Sequence, residues 1–186
     1  MTTAAQPDDA FTLLGLAPGF ALEAADLQRA YLERIRAAHP DHAGPTAVPA
    51  DTDLDTDARS AALNRARQTL EDPESRAVLL HARLGGPSAE IDRSVPPGFL
   101  MELMSAREEI EADRAAKRDN WLDRWDAWAE AHRAALRARV AARFTALETI
   151  VDAPGRAAAL KALRSDLNAW RSIERLGAQL ETPDPN

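Results

Sequence analysis

The tripeptide His39-Pro40-Asp41 interrupts a run of helix formers and sets the first histidine of the chain one residue from an aspartate. Proline stiffens the turn and pushes the residue before it out of the helical region, so a helix ends there and two polar side chains face solvent. His39 can donate or accept a hydrogen bond. Asp41 can accept a charge-assisted, even bidentate, bond from an arginine. No nucleophile, base or oxyanion donor accompanies them. The triplet therefore reads as a rigid docking tip, and no catalytic residue is assigned. His42 adds a second imidazole, but His39 and His42 alone fall short of a metal site. Neither a metal nor a cofactor is expected.

Other candidates weaken on inspection. The acidic run DTDLDTD, residues 51–57, fails the EF-hand spacing. Counted from Asp51, position 6 is Thr56 where glycine is needed, and position 12 is Ala62 where glutamate is needed. An acidic loop running into a helix cap is the simpler reading. The stretch HRAALRARVAAR, residues 132–143, is the one basic stripe, with Arg133 and Arg137 on a shared helical face. Salt bridging or solvation is its default. Trp121, Trp125 and Trp128 step at i, i+4 and i+7, a packing pattern expected to serve a core. His81 and His132 stand apart and read as structural or solvated.

The elements that must position these residues are helices. Ala, Leu, Arg and Glu dominate, and no alternating pattern marks a strand, so the fold is expected to be all-α. Asp8 or Asp9 caps a short first helix with Phe11, Leu13 and Leu14, broken at Gly15. A second helix runs from about Glu23 to Ala38, with Leu27, Tyr31, Ile35 and Ala38 on one face. Arg29, Arg34 and Arg36 lie off that stripe. A loop of roughly 15 residues follows. A third helix starts near Asp55 and stops at Asp72-Pro73, and a fourth reaches Leu84 before Gly85-Gly86-Pro87. Further helices are expected from Phe99 to Arg114, from Trp121 to Val151, and from Pro154 to Leu180. In the last, Leu160, Leu163, Leu167, Trp170, Ile173 and Leu176 form a seam suited to a three-helix bundle.

Composition narrows the function. The chain has 186 residues, a net charge of −7 and no cysteine. Disulfides, thiolate metal sites, cluster ligation by this chain and cysteine catalysis are excluded. The negative charge argues against general binding to nucleic acid or an anionic membrane. The N-terminus lacks the pattern of a signal peptide, and no stretch reaches the ~20 apolar residues of a membrane span. A soluble cytoplasmic monomer is expected.

A short helix, Leu27-x-x-x-Tyr31, His39-Pro40-Asp41, a loop and a third helix together resemble a J-domain, the defining unit of DnaJ-type co-chaperones. "ALNRARQTLEDPESRAVLLHARLGG" resembles the third-helix region of the HscB co-chaperones, and "PPGFLMELMSAREEIE" resembles the start of their C-terminal domain. The resemblance implies a J-domain helical hairpin over 8–84, a linker over 85–97 and a three-helix bundle over 98–181. It implies stimulation of a DnaK/HscA-class ATPase chaperone through His39, Pro40 and Asp41, with Arg29, Arg34 and Arg36 facing an acidic surface. It further implies that Leu100, Met101, Met104 and Glu108 hold an IscU-type iron–sulfur scaffold. Some positions depart from the family pattern. Ala38 and Arg67 stand where aromatics are usual, Arg34 where an apolar residue is usual, and His42 where lysine is common. In the bundle, Ser105 and Ala112 replace acidic positions, and Ala169, beside Trp170, replaces an aromatic.

Overall fold

A computed structural model describes residues 9–38 and 53–181. Every regular element among the described residues is a helix: α1 (Ala10–Leu14), α2 (Ala24–Ala38), α3 (Asp53–Glu71), α4 (Pro73–Arg83), α5 (Phe99–Ala115), α6 (Trp121–Thr149) and α7 (Ala153–Glu181). The all-α expectation holds, and the helices stop where the punctuation predicts. The chain divides into two compact units, Met1–Arg76 and Ala77–Asn186, with the break inside α4.

In the first unit the Asp9 carboxylate caps α1 by accepting from the Phe11 N–H at 3.3 Å. Gly15 ends α1 in the left-handed conformation (φ 71°), which lets its N–H and that of Leu16 reach back to Thr12 and Phe11. Phe11, Leu14, Leu27, Leu63, Ala66 and Leu70 are buried and form the core that α3 shares with α1 and α2. The Tyr31 hydroxyl donates to Asn64 at 2.7 Å. Arg76 is buried; its Nε donates to the Phe20 carbonyl at 3.0 Å and its Nη1 to the Leu70 carbonyl. One side chain thus satisfies the last turn of α3 and anchors the segment entering α2. At the start of α4 the Asp72 carboxylate accepts from the Ser75 N–H at 2.8 Å, with Pro73 in the first helical position.

In the second unit, α6 and α7 run antiparallel. Contacts pair Arg133 with Glu174, and Arg139 and Arg143 with Asp166, so positions rise on one helix as they fall on the other. The same rule relates α5 to α6, through Glu102 with His132 and Glu109 with Arg124. Leu160, Leu163, Leu167, Trp170, Ile173 and Leu176 are all buried, as their spacing requires. The tryptophan expectation needs correction. Trp125 is buried, but Trp121 and Trp128 are only partly so. Trp121 opens its helix and is covered by the guanidinium of Arg114 near the end of α5, 5.2 Å from the ring centre, and not by packed apolar side chains of a core.

The stretch between α4 and α5 is tied down within this unit. The Asn168 side-chain amide donates to the carbonyls of Asp92 at 2.9 Å and Ser94 at 2.8 Å. Just upstream, α4 ends with Gly85 at φ 82°, the Gly85 N–H reaching Ala82 and the Gly86 N–H reaching His81. The His81 imidazole is buried, with Nε2 3.0 Å from the Leu160 carbonyl. A Cβ on Gly86 would collide with the imidazole ring. Burial holds the His81 pKa below the ordinary 6.5, aided by nearby Arg164, while the Leu160 carbonyl and Asp92 oppose the shift. The unfolded chain therefore takes up a proton before the folded chain does. Stability is full above about pH 6.5 and is lost as pH falls from there through the folded-state value. The thermal midpoint should be flat above pH 7 and fall between pH 7 and 5.5. His81→Gln should lower the midpoint at every pH but flatten that slope, as calorimetry across the range will show.

Candidate functional site

Two surfaces carry the candidate residues. On the first unit, α2 presents its arginines to solvent, but not as one patch. Arg29 and Arg36 are seven residues apart and share a face, and both are exposed. Arg29 is ion-paired with Asp26. Arg34 lies beside the apolar stripe, where its guanidinium occupies the space that a side chain on Gly15 would fill. It lines an open groove with Leu14, Leu16, Ala30 and Ala37. That position explains its departure from an apolar residue: the charge is tolerated because the neighbouring turn has no side chain. Arg67, another departure in this unit, lies 5.2 Å from the Tyr31 ring centre and 3.7 Å from Glu71. Its guanidinium covers the ring as an aromatic neighbour would. His39, Pro40 and Asp41 lie outside the described residues.

On the second unit the candidate surface is one side of α5. Phe99, Leu103, Ala106, Ile110 and Asp113 step by four and three residues and are buried. The opposite side carries Leu100, Met101, Met104 and Glu108, which fall within about 100° of the helix circumference. Leu100 is 59% exposed, Met101 76% and Met104 54%. Glu108, Ser105 and Ala112 are exposed as well. Such a strip of large apolar side chains beyond a filled core is the usual mark of an interaction surface. Ala169 and Trp170 do not join it. Both are buried, and the Trp170 indole N–H donates to Glu174 at 2.8 Å.

The outward side of α5 stays outward because its inward side is locked to α6. Asp113, with only 4% of its side chain exposed, accepts from Arg118 at 2.9 Å, Arg124 at 3.1 Å and the Trp125 indole at 3.0 Å. Facing the first turn of α5, His132 sits between Glu102 at 2.9 Å and the Trp128 carbonyl at 2.8 Å. Its ring stacks on Trp128 at 3.8 Å between centres, and Trp128 meets Trp125 edge-on at 5.8 Å. Asp113 is not singled out by the sequence, which marks His132 only as a structural or solvated residue. The available signal was register: Asp113 occupies the next place in the four-three series begun by Phe99, where an apolar residue belongs.

The chain resembles known proteins over nearly its whole length. The co-chaperone protein HscB homologue of Paraburkholderia xenovorans (strain LB400) is 35% identical over 176 residues, covering 94% of this chain and 95% of the relative. The chain belongs to the HscB co-chaperone family. The HscB homologue of Paraburkholderia phymatum is 34% identical over 179 residues, covering 95% of this chain and 97% of the relative. No family model matches the chain. Among solved structures, Vibrio cholerae chaperone HscB aligns with a TM-score of 0.61 at 27% identity, over 92% of this chain and 99% of that one. The crystal structure of human co-chaperone HscB aligns with a TM-score of 0.71 at 21% identity, over 97% of this chain and 83% of that one, and shows the same fold.

Within this HscB-family chain, the α5 surface depends on the Asp113 anchor. Asp113→Asn keeps the shape but leaves Arg118, Arg124 and the indole facing a neutral amide. The expected cost is about 2 kcal/mol, because the carboxylate is buried while its arginine partners are half in water. The unfolding midpoint should fall by roughly 4–8 °C. Thermal denaturation followed by circular dichroism measures this, and an unchanged midpoint would remove Asp113 from the positioning role.

Proposed function

We propose that the chain is a DnaJ-class co-chaperone that stimulates the ATPase of a DnaK/HscA-class chaperone and delivers an IscU-type iron–sulfur scaffold protein to it. Residues 8–84 act as the J-domain, 85–97 as the connection and 98–181 as the scaffold-holding bundle. His39, Pro40 and Asp41 press on the chaperone, with the Asp41 carboxylate accepting from a cationic side chain there. Arg29, Arg34 and Arg36 supply positive charge toward an acidic face of the chaperone and speed the encounter. Leu100, Met101 and Met104 bury against an apolar patch of the scaffold, and Glu108 contributes a polar contact. The cluster is cargo on the scaffold, and this chain offers no cysteine to ligate it. The protein works by binding and not by catalysis, as a cytoplasmic monomer without cofactor or metal.

The observation that carries this reading is the exposed strip of Leu100, Met101 and Met104 on a helix whose other side is filled. Its methionines suit an adaptable contact, being flexible and polarisable. Asp41→Asn should reduce stimulation of the chaperone's steady-state ATP hydrolysis at least about tenfold, the equivalent of one charge-assisted bond. Leu100→Ala with Met101→Ala should weaken scaffold binding by roughly 30-fold in calorimetric titration, as truncation of a central apolar anchor does. Stimulation in the absence of scaffold should be retained in that double variant.

A second reading keeps the J-domain and gives the bundle a different client. It is favoured by the burial of Ala169 and Trp170, which leaves α7 without an outward aromatic at that place. Unchanged scaffold affinity in the double alanine variant, with stimulation still dependent on Asp41, would select it.

A further inference from the structure

We propose that Met101 and Met104 form an oxidation site through which a peroxide turns off client docking on α5. The proposal rests on the reading that this side of α5 holds the client, and it adds a chemical control to that site. The chain has three methionines and no cysteine, and one of the three is Met1. Met101 and Met104 are therefore its only internal thioethers, and no thiol competes with them for a two-electron oxidant. Both are accessible, at 76% and 54% exposure, and they lie three residues apart on one side of the helix, with Leu100 beside them. Two large oxidisable rings of the unit, Trp125 and Trp170, are buried.

The reaction balances with a peroxide as the only co-reactant. A sulfur lone pair attacks one peroxide oxygen, the S–O bond forms as the O–O bond breaks, and the proton of the transferred oxygen passes to the departing hydroxide to give water. The thioether is oxidised by two electrons to the sulfoxide, and the peroxide is reduced. Each product side chain is polar and a strong hydrogen-bond acceptor. Two such groups on one strip convert an apolar contact into one that must desolvate two unpaired acceptors on docking. The residues that press on the chaperone carry no sulfur, so the chemistry falls on client binding. Sulfoxide reductases, one for each epimer, reverse it.

The test oxidises the purified full-length chain with hydrogen peroxide, removes the oxidant, and then mixes the chain with cluster-free IscU-type scaffold protein. Peptide mass mapping should show one added oxygen on Met101 and one on Met104 ahead of any change at the tryptophans. Scaffold affinity should fall at least about tenfold, with helicity by circular dichroism unchanged, and should return after treatment with both reductases and a thiol. For the Met101→Leu, Met104→Leu variant, the ratio of treated to untreated affinity should be one, whatever its starting affinity. Oxidised wild type that binds as well as untreated protein overturns the proposal. So does a variant that loses affinity as wild type does, a loss of helicity on oxidation, or oxygen added first elsewhere. Untreated wild type that fails to bind the scaffold overturns the docking reading itself, and this proposal with it.

Discussion

A carboxylate taken out of water has to be matched by cations and donors, and that requirement fixes the second unit. Asp113 and Asp166 are both buried, and each recruits two arginines. Arg118 and Arg124 converge on Asp113 from the α5–α6 corner and the start of α6, and Arg139 and Arg143 reach Asp166 from one α6 face. Apolar contacts alone tolerate sliding, because one leucine replaces another with little penalty. A buried acid with fixed partners does not. The two aspartates therefore set the register of α5 on α6 and of α6 on α7. The orientation of the exposed side of α5 follows from the first of these.

The α5–α6 corner shows how tightly this is drawn. Lys117 takes the left-handed conformation at φ 49° and Asn120 at φ 56°. Lys117 and Arg118 return their N–H groups to Arg114 and Asp113, the same closure that Gly15 and Gly85 make elsewhere. A lysine in that conformation is strained relative to glycine. The corner accepts the strain at the point where Arg118 must turn back onto Asp113.

Much of this architecture was legible in the residues. Pro and Gly punctuation placed the helix ends, and the seam from Leu160 to Leu176 identified the buried side of α7. The strip of Leu100, Met101 and Met104 was legible only through the family resemblance, because its spacing groups the three on one side of a helix without saying which way that side faces. Cross-helix pairing was not legible. An arginine facing water and an arginine facing a buried acid on the next helix have the same local sequence, so nothing in the sequence tells which of the two Arg124, Arg139 and Arg143 are. The tryptophans misled for a related reason: spacing shows which side a ring is on but not whether a partner helix extends over it. Trp128 found a histidine and Trp121 an arginine instead. The partnership of Arg67 with Tyr31 was hidden in the same way, since it depends on α2 and α3 being side by side.

Gly85 and Gly86 look like one flexible hinge, yet they answer to different demands. Gly85 needs a backbone conformation, and nothing among the described residues lies within 4 Å of where its side chain would be. Asparagine, which visits that conformation, is an admissible exchange there. Gly86 needs space, because the His81 ring fills it. No larger residue is admissible there unless the histidine changes too. The first position is thus free to change by itself, whereas a change at the second has to be matched by one at residue 81.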